Sequence, residues 1–172
     1  MNNIVLFEPE IPQNTGNIMR TCVATNTVLH LIEPLGFKLT EKEIKRSGVN
    51  YIKDLVYYVY PNFDDFLSKH QNNGEFYFLT RYGLKSIYDL NASDSSKNYY
   101  FVFGKESTGV PKEILKEHLD RCIRLPMSDK VRSLNLSNTA AIVIYEALRQ
   151  QGFPNLSFFE PETMKGKNYL IK

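Results

Sequence analysis

The sequence predicts an α/β fold in which a mostly parallel sheet carries helices on both faces. Short runs rich in β-branched and aromatic residues alternate with segments of helical periodicity. These runs are almost continuously apolar, which is typical of strands that are buried on both faces of a parallel sheet. Hydrophobic residues make up 42% of the 172 residues and charged residues 23%, as in an ordinary soluble globular domain.

The predicted strands are residues 4–7, 28–32, 56–60, 76–79, 99–103 and 122–125. The predicted helices are residues 14–26, 40–47, 63–70, 111–119 and 136–151. Thr40 and Glu43 have the spacing of a capping box, Pro111 suits a first helical turn, and Gly152 marks the end of the last helix. This alternation of strands and helices is what a doubly wound layer fold requires.

The last predicted helix carries apolar residues on two sides. One side is formed by Leu136, Ala140, Val143, Ile144, Ala147 and Leu148. Ile142 and Tyr145 make the opposite side apolar as well. We therefore expect this helix to pack against the core and against a second surface, for which a dimer partner is one candidate.

Composition narrows the function only a little. The formal net charge is +2, so an RNA-binding surface would have to come from local clustering of charge or from pairing of two subunits. Cys22 and Cys122 have no metal-ligand spacing, and we expect both to be reduced and buried, without a metal. The sequence has no secretion signal and no run of about 18 apolar residues, so we expect a cytoplasmic protein without a membrane span.

The first motif, residues 8–20 (EPEIPQNTGNIMR), follows the first predicted strand. The carboxyl ends of parallel strands are where open α/β sheets bind ligands. Asn14, Asn17 and Arg20 are spaced three apart, so they share a helix face if the helix begins near Asn14. Such a face suits a phosphate or a ribose, whereas the alternative is a capped helix with an exposed arginine.

The second motif, residues 103–111 (FGKESTGVP), follows a buried strand. Gly104 and Gly109 allow a close approach of the backbone to a ligand. The Gly-Lys-Ser/Thr ending of a nucleoside-triphosphate loop is absent, which excludes that site. The motif is equally compatible with a structural turn.

The third motif, residues 125–138 (LPMSDKVRSLNLSN), leads into the last helix. Ser133, Asn135, Ser137 and Asn138 place four hydrogen-bonding side chains near one helix start. A single N-cap uses only one of them, so the cluster indicates a second role beside capping.

In this order and spacing, the three motifs resemble those of the SPOUT methyltransferases, and within that class the small TrmL/YibK-like tRNA wobble-position ribose methyltransferases. The resemblance covers about residues 1–154. Its most specific strings are RSLNLSN at 132–138, YEALRQ at 145–150, EPEIP at 8–12 and NTGNI at 14–18. Leu125 stands where isoleucine is common, and the tail beyond residue 156 has no counterpart.

The resemblance implies a SPOUT fold, whose C-terminal third threads through a loop to make a deep trefoil knot. It implies one methyltransferase domain at residues 1–156 and a tail of unassigned structure at residues 157–172. It also implies S-adenosyl-L-methionine as cofactor, held mainly by backbone groups of three loops. The cofactor-binding residues that match the family motifs are Leu79, Thr80, Gly104, Glu106, Gly109, Leu125, Met127, Ser133, Leu134 and Ser137.

The implied reaction transfers a methyl group from the cofactor to the ribose 2′-hydroxyl of the wobble nucleotide, a cytidine or a modified uridine, in the anticodon loop of tRNA. The catalytic residues carried over by motif match are Arg20, Asn14, Glu106, Ser133 and Asn135. A guanidinium resists deprotonation. We therefore expect Arg20 to hold a neighbouring phosphate and to polarise the attacking oxygen, while the others orient the ribose and the cofactor.

The resemblance further implies a homodimer in which the first and last helices pack across a two-fold axis, with Tyr145 as candidate interface residue. Each active site would then use residues of both chains. Candidate phosphate contacts are Lys42, Lys45, Arg46, Lys130 and Arg132. The cluster at 42–46 is also compatible with a solvated helix face.

Two other functions stay open at this point. Glu33 follows the second predicted strand, as in a Rossmann-type nucleotide oxidoreductase, but Gly-x-Gly-x-x-Gly is absent after the first strand. A knotted RNA-binding protein without catalysis is the other alternative. The presence of Arg20, Glu106 and the 133–138 set argues against it.

Overall fold

The computed structural model describes residues 1–39 and 52–171. The predicted helix at 40–47, its Thr40–Glu43 capping box and the basic residues Lys42, Lys45 and Arg46 lie outside the described residues.

The described residues form a sheet that is parallel throughout. Its strands are β1 Asn2–Phe7, β2 Val28–Ile32, β3 Tyr57–Tyr60, β4 Glu75–Leu79, β5 Lys85–Ser86, β6 Tyr99–Phe103 and β7 Cys122–Arg124. The helices are α1 Pro12–Ala24, α2 Phe63–His70, α3 Lys112–Glu117 and α4 Leu136–Gln151. The strand order is β3-β2-β1-β6-β4-β7-β5, and each neighbouring pair is parallel. The α/β class and the parallel sheet are therefore confirmed.

Alternation along the central strands creates a core on each face of the sheet. In β1, Ile4 and Leu6 join the core that contains α1 and α4, whereas Val5 and Phe7 join the core that contains α2 and α3. The same alternation runs through β6. Side chains on neighbouring positions of a strand point to opposite faces, so strands that are buried throughout need helices on both sides. That prediction is confirmed.

Local differences from the predicted elements have simple causes. Helix α1 begins at Pro12, two residues before Asn14, because proline is tolerated in a first turn. Pro111 occupies the N-cap of α3 rather than its first turn. The two-residue strand β5 was not predicted, since a strand this short leaves no periodic pattern.

Helix α4 is buried on one side, as predicted. Its buried side includes Ala140, Val143, Ile144, Ala147 and Leu148. On the outward side Ile142 is 38% exposed and Tyr145 is 50% exposed. Gly152 ends the helix with a φ of 73°, a left-handed conformation that glycine adopts without strain.

Residues 152–171 contain turns but no helix or strand. Phe153 and Leu156 pack against the core, while Phe158 and Phe159 are exposed. Both cysteines are free and buried, as expected. In residues 1–39 and 52–171, no helix has the length and apolar character that a bilayer span needs.

A buried hydrogen-bond network lies beside the core around α2. The amide nitrogen of Asn3 donates to two backbone carbonyls, so its oxygen is left to accept from His30 Nε2 at 3.1 Å. Burial lowers the pKa of His30 and keeps its ring neutral, so Nδ1 accepts from the Tyr60 hydroxyl at 3.0 Å. Tyr60 in turn accepts from His70 Nε2 at 2.9 Å, and His70 Nδ1 accepts from the Tyr100 hydroxyl at 3.0 Å. This arrangement requires both imidazoles to be neutral.

We predict that this network makes the fold sensitive to acid. Burial, and then the neighbouring His70, lowers the pKa of His30 from 6.5 to about 3, and burial also lowers the pKa of His70. Below pH 6.5 the unfolded chain gains protons that the folded chain excludes, so the free energy of unfolding should fall between pH 6.5 and 3. The slope should reach about 1.4 kcal/mol per pH unit for each excluded proton.

Urea unfolding at a series of pH values measures this slope. The variant His30→Gln should have a shallower slope than the wild type. His118→Gln, which removes a histidine stacked on Phe78 outside the network, is the control and should keep the wild-type slope. Equal slopes for His30→Gln and the wild type would contradict the assignment.

Candidate active site

A cleft of about 660 Å³ opens at the carboxyl edge of the sheet. Its lining comes from the loops that follow β4, β6 and β7, together with the amino ends of α1 and α4. This edge is where open α/β sheets place their ligands. The volume falls within the range of roughly 300–1,000 Å³ that is typical of small-molecule and cofactor sites.

Glu106, in the loop after β6, binds the amino end of α1. One carboxylate oxygen accepts the Glu10 N–H at 2.9 Å. The other accepts the Ile11 N–H at 3.3 Å and the Asn14 side-chain amide at 2.9 Å. Ile11, the N-cap residue, provides no side-chain cap of its own. Glu106 therefore caps α1 from a distant part of the chain, and its negative charge is favourable at a helix amino end.

Asn135 connects α1 to α4. As the N-cap of α4, its side-chain oxygen accepts the Ser137 N–H at 2.9 Å, the Ser137 hydroxyl at 2.7 Å and the Asn138 N–H at 3.4 Å. Its side-chain nitrogen donates to the Asn14 oxygen at 2.9 Å. Glu106, Asn14 and Asn135 thus form one continuous line of hydrogen bonds, and the three sequence motifs meet at one place.

The turn between Gly104 and Gly109 needs both glycines. The Gly109 N–H donates to the Lys105 carbonyl at 2.8 Å, and Gly109 has a φ of 77°. A Cβ on Gly104 would lie 2.0 Å from the carbonyl carbon of Gly109. A Cβ on Gly109 would meet no atom within 4 Å, so the turn leaves open space beside this cleft residue.

Two contacts to carboxylates hold the same turn against the segment after β1. The Glu10 carboxylate accepts the N–H and the hydroxyl of Ser107, both at 2.8 Å, and these hydrogen bonds lower the pKa of Glu10. Lys105 donates to Glu8 at 2.7 Å, and this hydrogen bond raises the pKa of Lys105. The first contact therefore joins a carboxylate to two neutral donors, and the second is an ion pair.

The cleft combines an apolar wall with backbone groups of irregular loops. The apolar residues are Ile11, Leu79, Phe103, Val110, Leu115, Ile123, Leu125, Met127, Leu134 and Leu136. A nucleoside cofactor needs such a surface for its base and backbone donors and acceptors for its polar edges. Within the two described ranges, no group of three or more His, Cys, Asp or Glu side chains could hold a metal ion.

The structure brings most of the predicted site residues together. The predicted residues that line the cleft are Asn14, Leu79, Thr80, Gly104, Glu106, Gly109, Leu125, Met127, Ser133, Leu134 and Asn135. Ser137 and Arg20 do not line it. Ser137 is buried beneath the cap of α4.

Arg20 is exposed on α1, about 9 Å along the helix axis from Asn14 at 1.5 Å per residue. Asn14 is buried, whereas Asn17 and Arg20 are exposed. The three side chains therefore do not form one continuous exposed face. Three residues are less than one helical turn of 3.6 residues, so each of these side chains points in a different direction around the helix axis.

Sequence reasoning missed Arg81, Tyr82, Arg124 and Thr139, which line the cleft and lie outside the three motifs. It also missed Ile11, which lies inside the first motif but was not named as a site residue. Arg81 and Tyr82 could have been found, because they follow a correctly predicted parallel strand and so must lie at the ligand-binding edge. Arg132, which was considered only as a phosphate contact, also lines the cleft.

A parallel sheet with a loop-lined cleft at its carboxyl edge is typical of nucleotide- or cofactor-binding α/β domains. Residues 1–145 match the SpoU rRNA methylase family, and the chain belongs to this family. A relative from Geobacillus stearothermophilus, provisionally named a tRNA (cytidine(34)-2′-O)-methyltransferase, is 54% identical over 155 residues. The match covers 90% of this chain and 98% of that relative.

Two solved structures have the same fold. One, described as giving insights into the 2-OH methylation of C/U34 on tRNA, is 36% identical with a TM-score of 0.79 and covers 88% of this chain and 97% of that chain. The other is the SpoU methyltransferase AviRb from Streptomyces viridochromogenes in complex with AdoMet. It is 22% identical with a TM-score of 0.71 and covers 87% of this chain and 57% of that chain.

We predict that removing the Glu106 carboxylate destabilises the fold. In Glu106→Ala, two backbone N–H groups and the Asn14 amide lose their acceptor, which should cost about 1–3 kcal/mol. Urea unfolding measures the loss. Glu117→Ala changes an exposed glutamate at the end of α3 and should stay within about 0.5 kcal/mol of the wild type. Equal stability of the two variants would contradict the capping role.

Proposed function

We propose that this protein transfers a methyl group from S-adenosyl-L-methionine to the ribose 2′-hydroxyl of the wobble nucleotide, a cytidine or a modified uridine, in the tRNA anticodon loop. The observation that carries the proposal is the hydrogen-bonded line through Glu106, Asn14 and Asn135, which gathers three motifs around one cleft. Membership of the SpoU rRNA methylase family and the identity with a relative named for this reaction support it. That membership also removes the Rossmann-type oxidoreductase as an alternative.

The cleft fits the proposed cofactor. The apolar wall around Leu125 and Leu134 suits an adenine ring, and the space beside Gly109 admits a ligand close to the backbone. AviRb, which has the same fold, binds AdoMet. When bound, the cofactor supplies a methyl group on a positively charged sulfur. We also propose, from the family resemblance, that the C-terminal third is knotted around this site.

Catalysis by this chain should rest mainly on positioning. Alignment of the two reactants can supply roughly 7–11 kcal/mol of the barrier in favourable cases. Asn14 and Glu106 already bind protein groups, so we assign them to holding the cleft in shape rather than to proton transfer. Ser133 is exposed at the cleft, where its hydroxyl can orient the ribose.

We propose that Arg20 acts in the active site of a partner subunit. It lies outside the cleft lining of its own chain, on a helix that packs against α4. A two-fold dimer through α1 and the exposed Ile142–Tyr145 side of α4 would bring Arg20 of one chain to the cleft of the other. There the guanidinium would hold a phosphate next to the target ribose and polarise the attacking oxygen.

The expected location of this tRNA enzyme is the cytoplasm.

The first test is methylation of total tRNA by the purified protein with S-adenosyl-L-methionine, followed by mapping of ribose methylation at each nucleotide. We expect a new 2′-O-methyl group at position 34. Binding of tRNA without any methylation would instead favour the non-catalytic RNA-binding alternative. Methylation outside the anticodon loop would refute the proposed target and keep the methyltransferase class.

The second test asks whether Arg20 serves its partner. Arg20→Ala and Asn135→Ala should each be nearly inactive as purified homodimers. When the two are co-expressed, half of the dimers are mixed, and each mixed dimer contains one intact site if Arg20 acts across the interface. Activity should then recover to about a quarter of the wild type. Sedimentation should report a dimer throughout, and an absence of recovery in mixed dimers would contradict the shared site.

The variant Arg20→Lys tests whether the positive charge of Arg20 is enough or whether the shape of the guanidinium is needed. Lysine keeps the charge but cannot bind a phosphate through two parallel hydrogen bonds. We expect kcat to fall at least about tenfold, with the dissociation constant for S-adenosyl-L-methionine unchanged. Near-normal turnover would show that Arg20 does not bind a phosphate through two parallel hydrogen bonds.

A further inference from the structure

The rim of the cleft carries aromatic and basic side chains that none of the three motifs contains. Arg81 and Tyr82 follow β4, and Arg124 ends β7. Tyr82 is 68% exposed although it lines the cleft. An aromatic ring left open at a site of this kind is available for contact with a ligand that extends out of the cleft.

Arg81 and Tyr82 form a stacked pair. The Arg81 guanidinium carbon lies 4.7 Å from the centroid of the Tyr82 ring, and the guanidinium donates a hydrogen bond to the Tyr82 hydroxyl. This contact restricts the rotation of a ring that would otherwise move freely in solvent. A ring that is already oriented loses less entropy when a second flat group stacks on it.

The loop that carries the pair is fixed to the floor of the cleft. The Thr80 N–H donates to the Ile123 carbonyl at 3.0 Å, and the Tyr82 N–H donates to the Thr80 hydroxyl at 3.3 Å. Gly83 packs so closely on β7 that an added Cβ would lie 2.7 Å from the carbonyl carbon of Ile123. The position of Tyr82 is therefore set by the sheet rather than by a mobile loop.

The rim of the cleft carries positive charge. Arg81, Arg124 and Arg132 all line the cleft. In the part of the chain that the structure describes, none of these arginines forms an ion pair with a carboxylate. Guanidinium groups that have no carboxylate partner among the described residues, placed around an aromatic ring, match the two recurring parts of a nucleotide in single-stranded RNA, a phosphate and a flat base.

We infer that the Arg81–Tyr82 pair stacks on the base of the nucleotide whose ribose enters the cleft, while Arg124 and Arg132 bind the flanking phosphates. The inference rests on the proposed function and adds the element that receives the target base. Stacking recognises the face of a base and not its hydrogen-bonding edge. The same ring therefore accepts either a cytidine or a uridine at the methylated position.

The test uses the full-length protein, S-adenosyl-L-methionine and an anticodon stem-loop RNA with cytidine or uridine at position 34. Tyr82→Ala should raise the KM for either RNA about tenfold or more, because one base loses its stacking partner, and kcat should change much less. Tyr82→Phe keeps the ring and should stay close to the wild type. Tyr88→Ala is the matched control, since Tyr88 is 63% exposed and lies outside the cleft lining.

Calorimetry with S-adenosyl-L-methionine alone distinguishes a base-binding role from a cofactor-binding role. Tyr82→Ala should leave the dissociation constant for this cofactor unchanged. A weakened cofactor affinity, or an unchanged KM for both RNAs, would overturn the inference. If the wild type methylates neither these RNAs nor total tRNA, the proposed function itself fails. If the wild type methylates both RNAs and Tyr82→Ala has the same KM, only the inference about Tyr82 fails.

Discussion

The site depends on the hydrogen bonds that link Glu106, Asn14 and Asn135. Each bond joins segments that are far apart in sequence, and the groups involved include backbone N–H donors at the start of α1 and the cap of α4. Loss of any member leaves partly buried polar groups without partners, which costs more than the lost bond is worth. The same line therefore sets the relative position of the two helices and the shape of the cleft between them.

This arrangement separates the residues that build the cleft from those that face a ligand. Glu106 and Asn14 have the residue types expected of catalysts, yet their polar atoms contact protein. Ser133, Tyr82 and Arg132 are exposed at the same cleft and have polar or aromatic groups available to a ligand. Amino-acid type alone does not distinguish these roles, because a carboxylate that caps a helix and one that accepts a proton have the same side chain.

Much of the fold was predictable from local patterns. Six strands were predicted correctly because continuous apolar runs, such as residues 99–103, are typical of strands in the buried middle of a parallel sheet. β5 was missed, since its two residues are defined only by pairing with β7. The motif residues were found by resemblance, whereas the bonds between them depend on distances that no spacing in the sequence encodes. The position of Arg20 outside the cleft could not be predicted either. The direction of a side chain on a helix can be assigned only when the residue at which the helix begins is known.

The position of β6 has a consequence for how the chain is made. β6 lies between β1 and β4, yet it is synthesised after both. Until residues 99–103 emerge from the ribosome, β1 lacks one of its two neighbours and β4 has neither of its partner strands, β6 and β7. An amino-terminal fragment would expose open strand edges that are prone to aggregation. Stable folding must therefore wait for more than half of the polypeptide, and pairing between such distant segments makes it slow.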